Sequence, residues 1–320
     1  MRYYDILLTD SSGNTVKEWT SHPNGQFDPG AHNVMLDFLV MNYDINGGGQ
    51  TITIEGPALQ DLQQAQQFTG LTVTVRGGMQ AGLPLANPQQ AGVLTVGSIF
   101  QSFGNWHGTE MTLDFVLMPS SFTLQTPGSI ILDWKAGTPL SQPLTQTLNQ
   151  AFPNYPVVMN ISDQLVMPGD VPGYYKTLEQ LSAVLYARTQ GFLGPTYQGV
   201  RIAIQAGQII VWDNDSPPAP VQINFQDLVG QPTWIDVNVM QAAFVMRADL
   251  TIGSTILMPQ GMINAPGFVQ TSANSMPSNL KYQSTFQGVF TITEMRHIGN
   301  FRDPNGQSWV TVANCVAQQQ

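Results

Sequence analysis

The feature that most constrains the fold is a series of short segments in which polar and apolar residues alternate. In residues 51–54 two threonines alternate with Ile52 and Ile54, and residues 71–75 repeat the pattern with leucine, threonine and valine. Successive side chains of a β-strand point to opposite faces of a sheet, so this alternation predicts strands with one buried face. Turn-forming residues at 10–14 and 46–49 separate the segments. The first 120 residues are therefore predicted to be mostly β.

The same part of the chain contains further strand-like segments and one helix. Strands are also predicted at residues 4–8, 34–43, 93–100 and 111–118. Pro57 predicts the first position of a short helix through residue 67, because proline is accepted where no backbone donor is needed. Leu59, Leu62 and Gln66 are predicted to share one side of that helix. One small helix among many strands favours a barrel or a sandwich.

Helical signals appear between about residues 125 and 225. Thr138 with Pro139 predicts a helix start, and the capping-box pattern at residues 177–180 predicts a second, in which a side chain can bond back to the Thr177 amide. Each is followed by an apolar stripe, formed by Leu140, Leu144 and Leu148 in the first helix and by Leu178, Leu181 and Leu185 in the second. Residues 199–204 and 208–212, joined by a glycine-bearing turn, predict a β-hairpin.

A proline-rich connector at residues 216–220 follows, and the chain then returns to strands. These are predicted at residues 234–244, 248–252, 255–258, 289–295 and 308–313. The predicted fold class is mainly β with an α+β insert: two small β-barrel domains flank a mixed helix and hairpin domain. The predicted boundaries are 1–122, 123–226 and 227–320.

The scarcity of charge bears on what such a chain can do. Charged residues make up only 10% of the 320 residues, whereas a typical soluble domain has about 25%. Disorder is excluded, because 42% of the residues are hydrophobic. Uncharged polar groups cost less to desolvate than charges, so the composition favours surfaces that pack against neighbouring subunits. An acidic soluble protein of unusual composition is the alternative.

Net charge and cysteine content exclude several classes of protein. The net charge is −10 and the basic residues are scattered singly, which disfavours DNA binding because affinity for phosphates comes from clustered Lys and Arg. One cysteine, Cys315, excludes an intrachain disulfide framework and a cysteine-cluster zinc site. No secretory signal and no apolar stretch long enough to span a membrane is visible. We therefore expect a soluble protein from a reducing compartment that is not exported by the usual route.

No motif of a known catalytic site is present. The chain lacks the Gly-x-Ser-x-Gly elbow, the His-Glu-x-x-His zinc motif and a glycine-rich loop ending in Gly-Lys-Ser/Thr. The glycines at 47–49 precede a strand rather than a helix, so they cannot present a helix N-terminus to a phosphate. We predict a protein without enzymatic activity, without catalytic or metal-binding residues and without a cofactor.

Four weaker patterns each have a chemical and a structural interpretation. Asp-Asn-Asp at residues 213–215 could bind a metal–nucleotide, but a polar turn after a strand is favoured. The four histidines are isolated in sequence, which favours packing or surface roles over a metal site. No pair of carboxylates marks a glycosidase. Six tryptophans and nine tyrosines fit a carbohydrate-binding face, yet filling of β-cores and subunit contacts is favoured.

The longest predicted loop covers residues 77–92. It exceeds the ~12–15 residues usual for a loop without secondary structure, which points to a functional or contact-making segment. It contains no charged residue but several apolar side chains, so it suits contact with protein better than with water. The residues predicted to contact a neighbouring subunit or a tube are Met79, Leu83, Pro84, Leu85, Asn87 and Pro88. A loop folded back on its own domain is the alternative.

Several segments resemble one known family. Residues 83–88, 97–99, 104–108 and 113–116 resemble the first domain of baseplate hub proteins of contractile-tailed bacteriophages. Residues 177–181, 199–202 and 208–210 are similar to the insert of that family, and residues 288–292, His297 and residues 308–311 to its terminal strands. The resemblance covers most of the chain as strand patterns, and only residues 83–88 are distinctive. No catalytic motif accompanies it.

The resemblance implies a homotrimeric ring in which two barrel domains per chain give six similar units. Such a ring joins the hexameric tail tube to the trimeric central spike and lines the DNA channel. The partners implied are the tube protein, the spike protein and other baseplate proteins, with the tape measure protein as a further candidate. The implied location is the virion tail baseplate, after assembly in the host cytoplasm. A tail-associated cell-wall hydrolase and a host-glycan-binding tail module are the alternatives.

Overall fold

The computed structural model describes residues 1–42, 49–80, 87–118, 129–259, 286 and 288–318. Strands take up 47% of the described residues and helices 16%, so the prediction of a mainly β protein is confirmed. In the described residues, thirteen strands form one large sheet, and two smaller sheets of three and two strands belong to the middle of the chain.

In the amino-terminal part of the large sheet, buried and more exposed side chains alternate along the strands, as predicted. Its elements are β1 (Arg2–Thr9), β2 (Thr15–Thr20), β3 (Asn33–Val40), β4 (Gln50–Glu55), α1 (Leu59–Gln63), β5 (Thr72–Met79), β6 (Gly92–His107) and β7 (Glu110–Met118). Every second side chain of β3 and β4 is buried. β6 continues beyond its predicted end at residue 100, because it pairs with β7 as far as His107 opposite Glu110.

The short helix α1 differs from its predicted form. It covers five residues and is followed by a 3-10 turn at Ala65–Phe68. The predicted inner side is wrong: Leu59 is 46% exposed, whereas Asp61 and Phe68 are buried. Lys17 of β2 forms an ion pair with Asp61, at 2.8 Å between Nζ and Oδ2. A charged partner on a distant strand therefore decides which side of the helix faces inward.

The middle of the chain holds both predicted helices. Its elements are β8 (Ile130–Trp134), α2 (Ser141–Ala151), β9 (Val157–Asn160), β10 (Val171–Tyr175), α3 (Leu178–Thr189), β11 (Arg201–Gln205) and β12 (Gln208–Trp212). Both predicted leucine stripes are confirmed, since all six leucines are buried. α2 begins at Ser141, two residues after the predicted Pro139.

Local sequence accounts for the start of α3 and for the hairpin. Thr177 Oγ1 accepts a hydrogen bond from the Gln180 amide at 3.2 Å, which caps the helix. The Gln180 side chain bonds back to the amide of Lys176 at 2.9 Å, one residue before the predicted one. β11 and β12 are joined by Ala206 and Gly207, whose φ angles are 51° and 76°. Positive φ at both turn residues matches the twist of the flanking strands.

The carboxy-terminal part returns to strands, as predicted, with two exceptions. Its elements are β13 (Val221–Gln222), β14 (Thr233–Trp234), β15 (Val239–Val245), β16 (Thr255–Met258), β17 (Gly288–Asn300) and β18 (Trp309–Ala317). The single strand predicted at residues 234–244 is two antiparallel strands, β14 and β15, because the chain turns at residues 235–238. The strand predicted at residues 248–252 is wrong. There the Gln205 side chain donates to the Leu250 carbonyl at 2.8 Å and accepts from the Ile252 amide at 2.9 Å. A distant side chain takes the place of a neighbouring strand.

The large sheet joins the two β-regions. Its order is β14-β15-β18-β17-β3-β4-β7-β6-β5-β1-β2, with β16 attached to β17 and β13 to β16. β3 pairs antiparallel with β17, from Met35 opposite Asn300 to Val40 opposite Met295. In the described residues the sheet is not closed into the two expected barrels, because the two β-regions pair with each other at this contact.

Apolar side chains form three clusters. One lies within strands β1 to β7 and takes in Met246, Phe301 and Trp309 from the carboxy-terminal part. A second is contained within residues 130–211. The third belongs to the carboxy-terminal strands and takes in Val40 and Trp212. The predicted domain boundaries at residues 122 and 226 stay a prediction.

Candidate functional site

The predicted contact loop is shorter than expected at its amino-terminal end. Residues 77–79 belong to β5, where Met79 lies opposite Arg2 and packs, half-buried, against the first apolar cluster. Strand pairing with β1 therefore takes up residues that were predicted to be free for contact. The predicted tip residues Leu83, Pro84 and Leu85 lie outside the described residues.

The carboxy-terminal end of the loop is also ordered. Pro88 begins a 3-10 turn, Pro88–Gln90. Asn87 is exposed, and its Oδ1 accepts a hydrogen bond from the Gln89 amide at 3.1 Å. Because the carbonyl of Asn87 also accepts from the Gln90 amide at 3.0 Å, this residue serves as the start of a turn. Six residues were predicted for contact. Among those that the structure describes, Asn87 has an exposed side chain.

The two ends of the loop approach each other closely. Gly78 has a φ of +142°, and a Cβ atom at this position would lie 2.6 Å from the Cα atom of Ala91. Only glycine allows both the backbone angle and the short distance. The carbonyl of Gly78 accepts a hydrogen bond from Trp309 Nε1 at 2.9 Å. The base of the loop is thereby attached to β18 in the carboxy-terminal β-region.

Gln90 makes a second attachment to the same region. It is 9% exposed, its Nε2 donates to Oδ1 of Asp227 at 3.1 Å, and its carbonyl accepts from the Ala248 amide at 2.7 Å. Asp227 lies in a 3-10 turn after β13 and is 3% exposed. The structure thus brings the end of the predicted loop against residues that are more than a hundred positions away in sequence.

Arg247 occupies the centre of this contact and is 2% exposed. Its Nε and Nη2 donate to the two carboxylate oxygens of Asp249 at 2.7 and 2.5 Å. Its Nη1 lies 3.5 Å from Oδ2 of Asp227 and has no hydrogen-bond partner. We call Gln90, Asp227, Arg247 and Asp249 the junction cluster. A buried arginine needs such partners because removing its charge from water is costly.

His297 lies beside the junction cluster and is fully buried. Thr311 Oγ1 accepts from the Arg247 amide at 3.0 Å and donates to the Arg247 carbonyl at 3.2 Å. The His297 Nδ1–H therefore donates to Thr311 Oγ1 at 2.9 Å, and Nε2 is left without a partner. Burial lowers the pKa of His297 to about 4, so the imidazole is neutral at pH 7.

Sequence reasoning missed the junction cluster. One signal was available, since Arg247 directly follows the apolar run at residues 242–246 and Asp249 comes two positions later. A charge inside an apolar segment predicts a buried, paired group. No sequence pattern near Asp227 or Gln90 indicated that these residues join Arg247 in the junction cluster.

The turn predicted at residues 213–215 is confirmed, with a structural role for its first carboxylate. Asp213 is 1% exposed and its oxygens accept hydrogen bonds from the amides of Ser162, Asp215 and Ser216, each at 2.8 to 3.0 Å, and from the Tyr197 hydroxyl at 2.8 Å. Four donors leave this carboxylate little capacity for a metal ion.

Among the described residues, no group of three or more His, Cys, Asp or Glu side chains could hold a metal ion. His22 contacts Ser21 Oγ at 2.9 Å, His32 contacts the Glu55 carbonyl at 3.1 Å, and His107 is exposed. No helix in the described part of the chain is long and apolar enough to cross a membrane.

Exposed aromatic residues mark the part of β6 that extends past the core. Phe100, Phe103 and Trp106 are 40%, 46% and 66% exposed. Phe103 lies opposite Asp114, whose carboxylate also accepts from Asn105 Nδ2 at 2.6 Å. By contrast, Trp134 and several other tryptophans fill the apolar clusters, as predicted. Large exposed rings are typical of surfaces that contact a partner.

Comparison with known proteins gives a likeness of fold. No family model and no curated protein sequence matches this chain. The tail protein from Neisseria meningitidis MC58 is similar in structure, with a TM-score of 0.50, 10% identity and coverage of 99% of this chain and 96% of that one. The 43 kDa tail protein of prophage MuSo2 from Shewanella oneidensis has a TM-score of 0.51 at 8% identity, with 99% of each chain covered. Over nearly its whole length, the chain therefore has the fold of these two tail proteins.

Proposed function

We propose that this protein is a structural component of a contractile phage tail, a trimeric baseplate hub that joins the hexameric tail tube to the trimeric spike and lines the DNA channel. The observation that carries the proposal is the fold shared over 99% of the chain with tail proteins, one of them from a prophage. The low proportion of charge supports it, because most of the surface of a ring subunit lies in contacts.

The open sheet supports a ring in particular. A ring of three identical chains requires two different, complementary surfaces on each chain. The main run of strands in the large sheet ends in two different edge strands, β2 and β14. In this proposal the domains at 1–122 and 227–320 are the similar units of the ring, the insert is 123–226, and neighbouring chains complete the barrels.

The size of the protein in solution tests the proposal most directly. Mass photometry at nanomolar concentration and light scattering at micromolar concentration should give three times the 34.9 kDa of one chain. Electron microscopy should show a ring with threefold outline and six similar lobes. A protein that stays monomeric at micromolar concentration, even with tube and spike proteins added, would contradict the proposal.

The loop is proposed to contact a neighbouring chain or the adjacent ring through Met79, Leu83, Pro84, Leu85, Asn87 and Pro88. Deleting residues 83–85 should reduce assembly while the β-rich circular dichroism spectrum is kept. Phe192→Ser, at an apolar position of the insert that is 36% exposed, is the control and should assemble normally. Unchanged assembly of the deletion variant would refute this part of the proposal.

A host-glycan-binding tail module is the second candidate, and the exposed rings of Phe103 and Trp106 favour it. A glycan array tests it, since binding should be lost in Trp106→Ala and kept in Trp134→Phe if those rings hold a sugar. The third candidate, a tail-associated cell-wall hydrolase, predicts lytic activity on peptidoglycan. Neither activity is expected of a hub.

A further inference from the structure

A pair of carboxyl groups lies on the outer face of the large sheet near its β2 edge. Asp5 of β1 alternates with the core residues Tyr4 and Ile6, yet it is only 8% exposed. Its Oδ2 lies 3.1 Å from Nη1 of Arg76 on β5, whereas its Oδ1 is buried without a hydrogen-bond partner. A buried acceptor without a donor costs free energy, so a donor is expected nearby.

Glu18 of β2 is the side chain placed to meet that oxygen. Asp5 pairs with Thr20 and Leu7 pairs with Glu18, so Glu18 is the diagonal neighbour of Asp5 on the same face. Diagonal neighbours in a sheet are within reach of a long side chain. Glu18 is exposed as a residue, and a hydrogen bond to Asp5 is among the causes that raise the pKa of its carboxyl. Two acids therefore meet where one donor is missing.

The charges around the pair favour a proton as that donor. With both acids ionised, two negative charges face the single positive charge of Arg76, which is 44% exposed. Burial, and then the charge of Asp5, raise the pKa of Glu18. Tyr3 is the other titratable group on this face, and its pKa is also raised, by burial and then by Asp5.

Two further groups lie close by but do not compete for the pair. His22 contacts the ring of Tyr3 at 5.5 Å between ring centroids, and its pKa is lowered by burial and by the N-terminal ammonium, with neither carboxylate among the causes. Lys17 is paired with Asp61 of α1 and lies over the ring of Trp19, a core residue, so it belongs to the opposite face of β2. The local balance is thus set by Asp5, Glu18, Arg76 and Tyr3.

We propose that Asp5 and Glu18 share one proton, and that uptake of this proton tightens the edge strand β2 onto β1. A proton from solvent binds the Glu18 carboxylate, and the resulting O–H donates to Oδ1 of Asp5. The charge of the cluster falls from −1 to zero, and the buried oxygen gains its donor. This device is independent of the proposed tail function, because it concerns a contact within one chain.

A divalent cation is the competing ligand for two adjacent carboxyl groups. Calcium takes six to eight oxygen ligands, and only two carboxylates meet here. The guanidinium of Arg76 would also repel it, since it lies 3.1 Å from one of the same oxygens. The geometry therefore favours a proton over a metal ion.

Hydrogen exchange of the β2 amides, corrected for the intrinsic effect of pH, tests the proposal. In the wild type, opening of β2 should slow by up to about five-fold as the pH falls from 7.5 to 4.5, the ordinary glutamate value above which the pKa of Glu18 is raised. In Glu18→Gln the amide donates to Asp5 at both pH values, so exchange should be slow at both. Glu110→Gln, at an exposed glutamate of β7, is the matched control and should keep the wild-type response.

Two outcomes would overturn the proposal. One is an unchanged pH response in both Glu18→Gln and Asp5→Asn, either of which removes the pair of acids. The other is protection of β2 by 1 mM calcium at pH 7.5 in the wild type and not in Glu18→Gln, which would assign the pair to a metal ion.

Discussion

The insert and the junction between the two β-regions bury polar groups in different ways. In the insert, the buried carboxylate of Asp213 accepts hydrogen bonds from four donors. At the junction, Arg247 keeps one guanidinium nitrogen without a hydrogen bond, and His297 keeps one ring nitrogen without a partner. Among the described residues of the insert, the buried side-chain atom left unpaired is the hydroxyl of Ser182, which is neutral and costs less.

The difference depends on how far apart in the sequence the hydrogen-bonding partners lie. Two of the four donors to Asp213 are the amides of Asp215 and Ser216, so half of these hydrogen bonds come from its own turn. The Asp227 carboxylate at the junction accepts a hydrogen bond from Gln90, which lies 137 positions earlier in the sequence. Distant segments meet only when the whole sheet has formed, and their fit is less complete. We expect the junction to be more sensitive to substitution than the insert.

The largest effect is expected for Arg247→Ala. Asp227 would stay buried without its cation, and loss of one partner of a buried ion pair costs about 3–5 kcal/mol in free energy of unfolding. Arg296→Ala is the control, because Arg296 holds Asp37 in the same bidentate geometry but the side chains are 50% and 40% exposed. Its loss should be below about 1 kcal/mol. Urea denaturation measures both, and equal losses would contradict the comparison.

The second effect concerns acid stability. The folded-state pKa of His297 is about 4, below the ordinary value of 6.5, so between these pH values the unfolded chain binds a proton that the folded chain does not. The free energy of unfolding should therefore fall by about 3 kcal/mol from this group as pH drops from 7.5 to 4. His297→Asn should lose this part of the pH dependence. Urea titrations of both proteins across the range measure it, and parallel curves would show that His297 does not contribute.

A smaller effect is expected in the insert for Tyr197→Phe. The variant removes one of the four hydrogen bonds to Asp213, and a bond to a charged group contributes about 2 kcal/mol. The remaining three donors should keep the carboxylate in place. Thermal denaturation of Tyr197→Phe and of Arg247→Ala compares the two losses of stability. A larger loss for Tyr197→Phe would reverse the order of the two regions.

The smallest effect is expected for Thr177→Ala at the start of α3. It removes the hydrogen bond from Thr177 Oγ1 to the Gln180 amide and should lower the free energy of unfolding by about 1 kcal/mol. Thr177→Ser keeps the hydroxyl and should be close to the wild type. Hydrogen exchange at the first turn of α3 should rise in the alanine variant alone.

Much of the local structure could be predicted. Alternation predicted strands such as β3 and β4, and the leucine stripes predicted the inner sides of α2 and α3. Thr177 predicted the helix start, and the residues at 206–207 the hairpin turn. Each of these depends on interactions between residues a few positions apart, which the order of residues already contains.

The candidate site was predicted only in part. A loop before β6 was predicted, but Met79 belongs to β5 and pairs with β1. The junction cluster that includes Gln90 was not predicted. The wrong side of α1 has the same origin, since Asp61 turns inward to meet Lys17, which is 44 positions earlier. Apolar periodicity reports which face is buried, but it does not report a distant charged partner.

By itself, the sequence determined a mainly β chain with two helices in its middle, few charges and no catalytic motif. Only the tertiary structure decided that the two β-regions share one open sheet through β3 and β17, and that Arg247 and His297 are buried beside that contact. Asp37 and Arg296, 259 positions apart, meet across the same pair of strands. The physical reason is range: backbone preference and side-chain periodicity act over a few residues, whereas strand pairing and buried charge depend on groups brought together by the completed sheet.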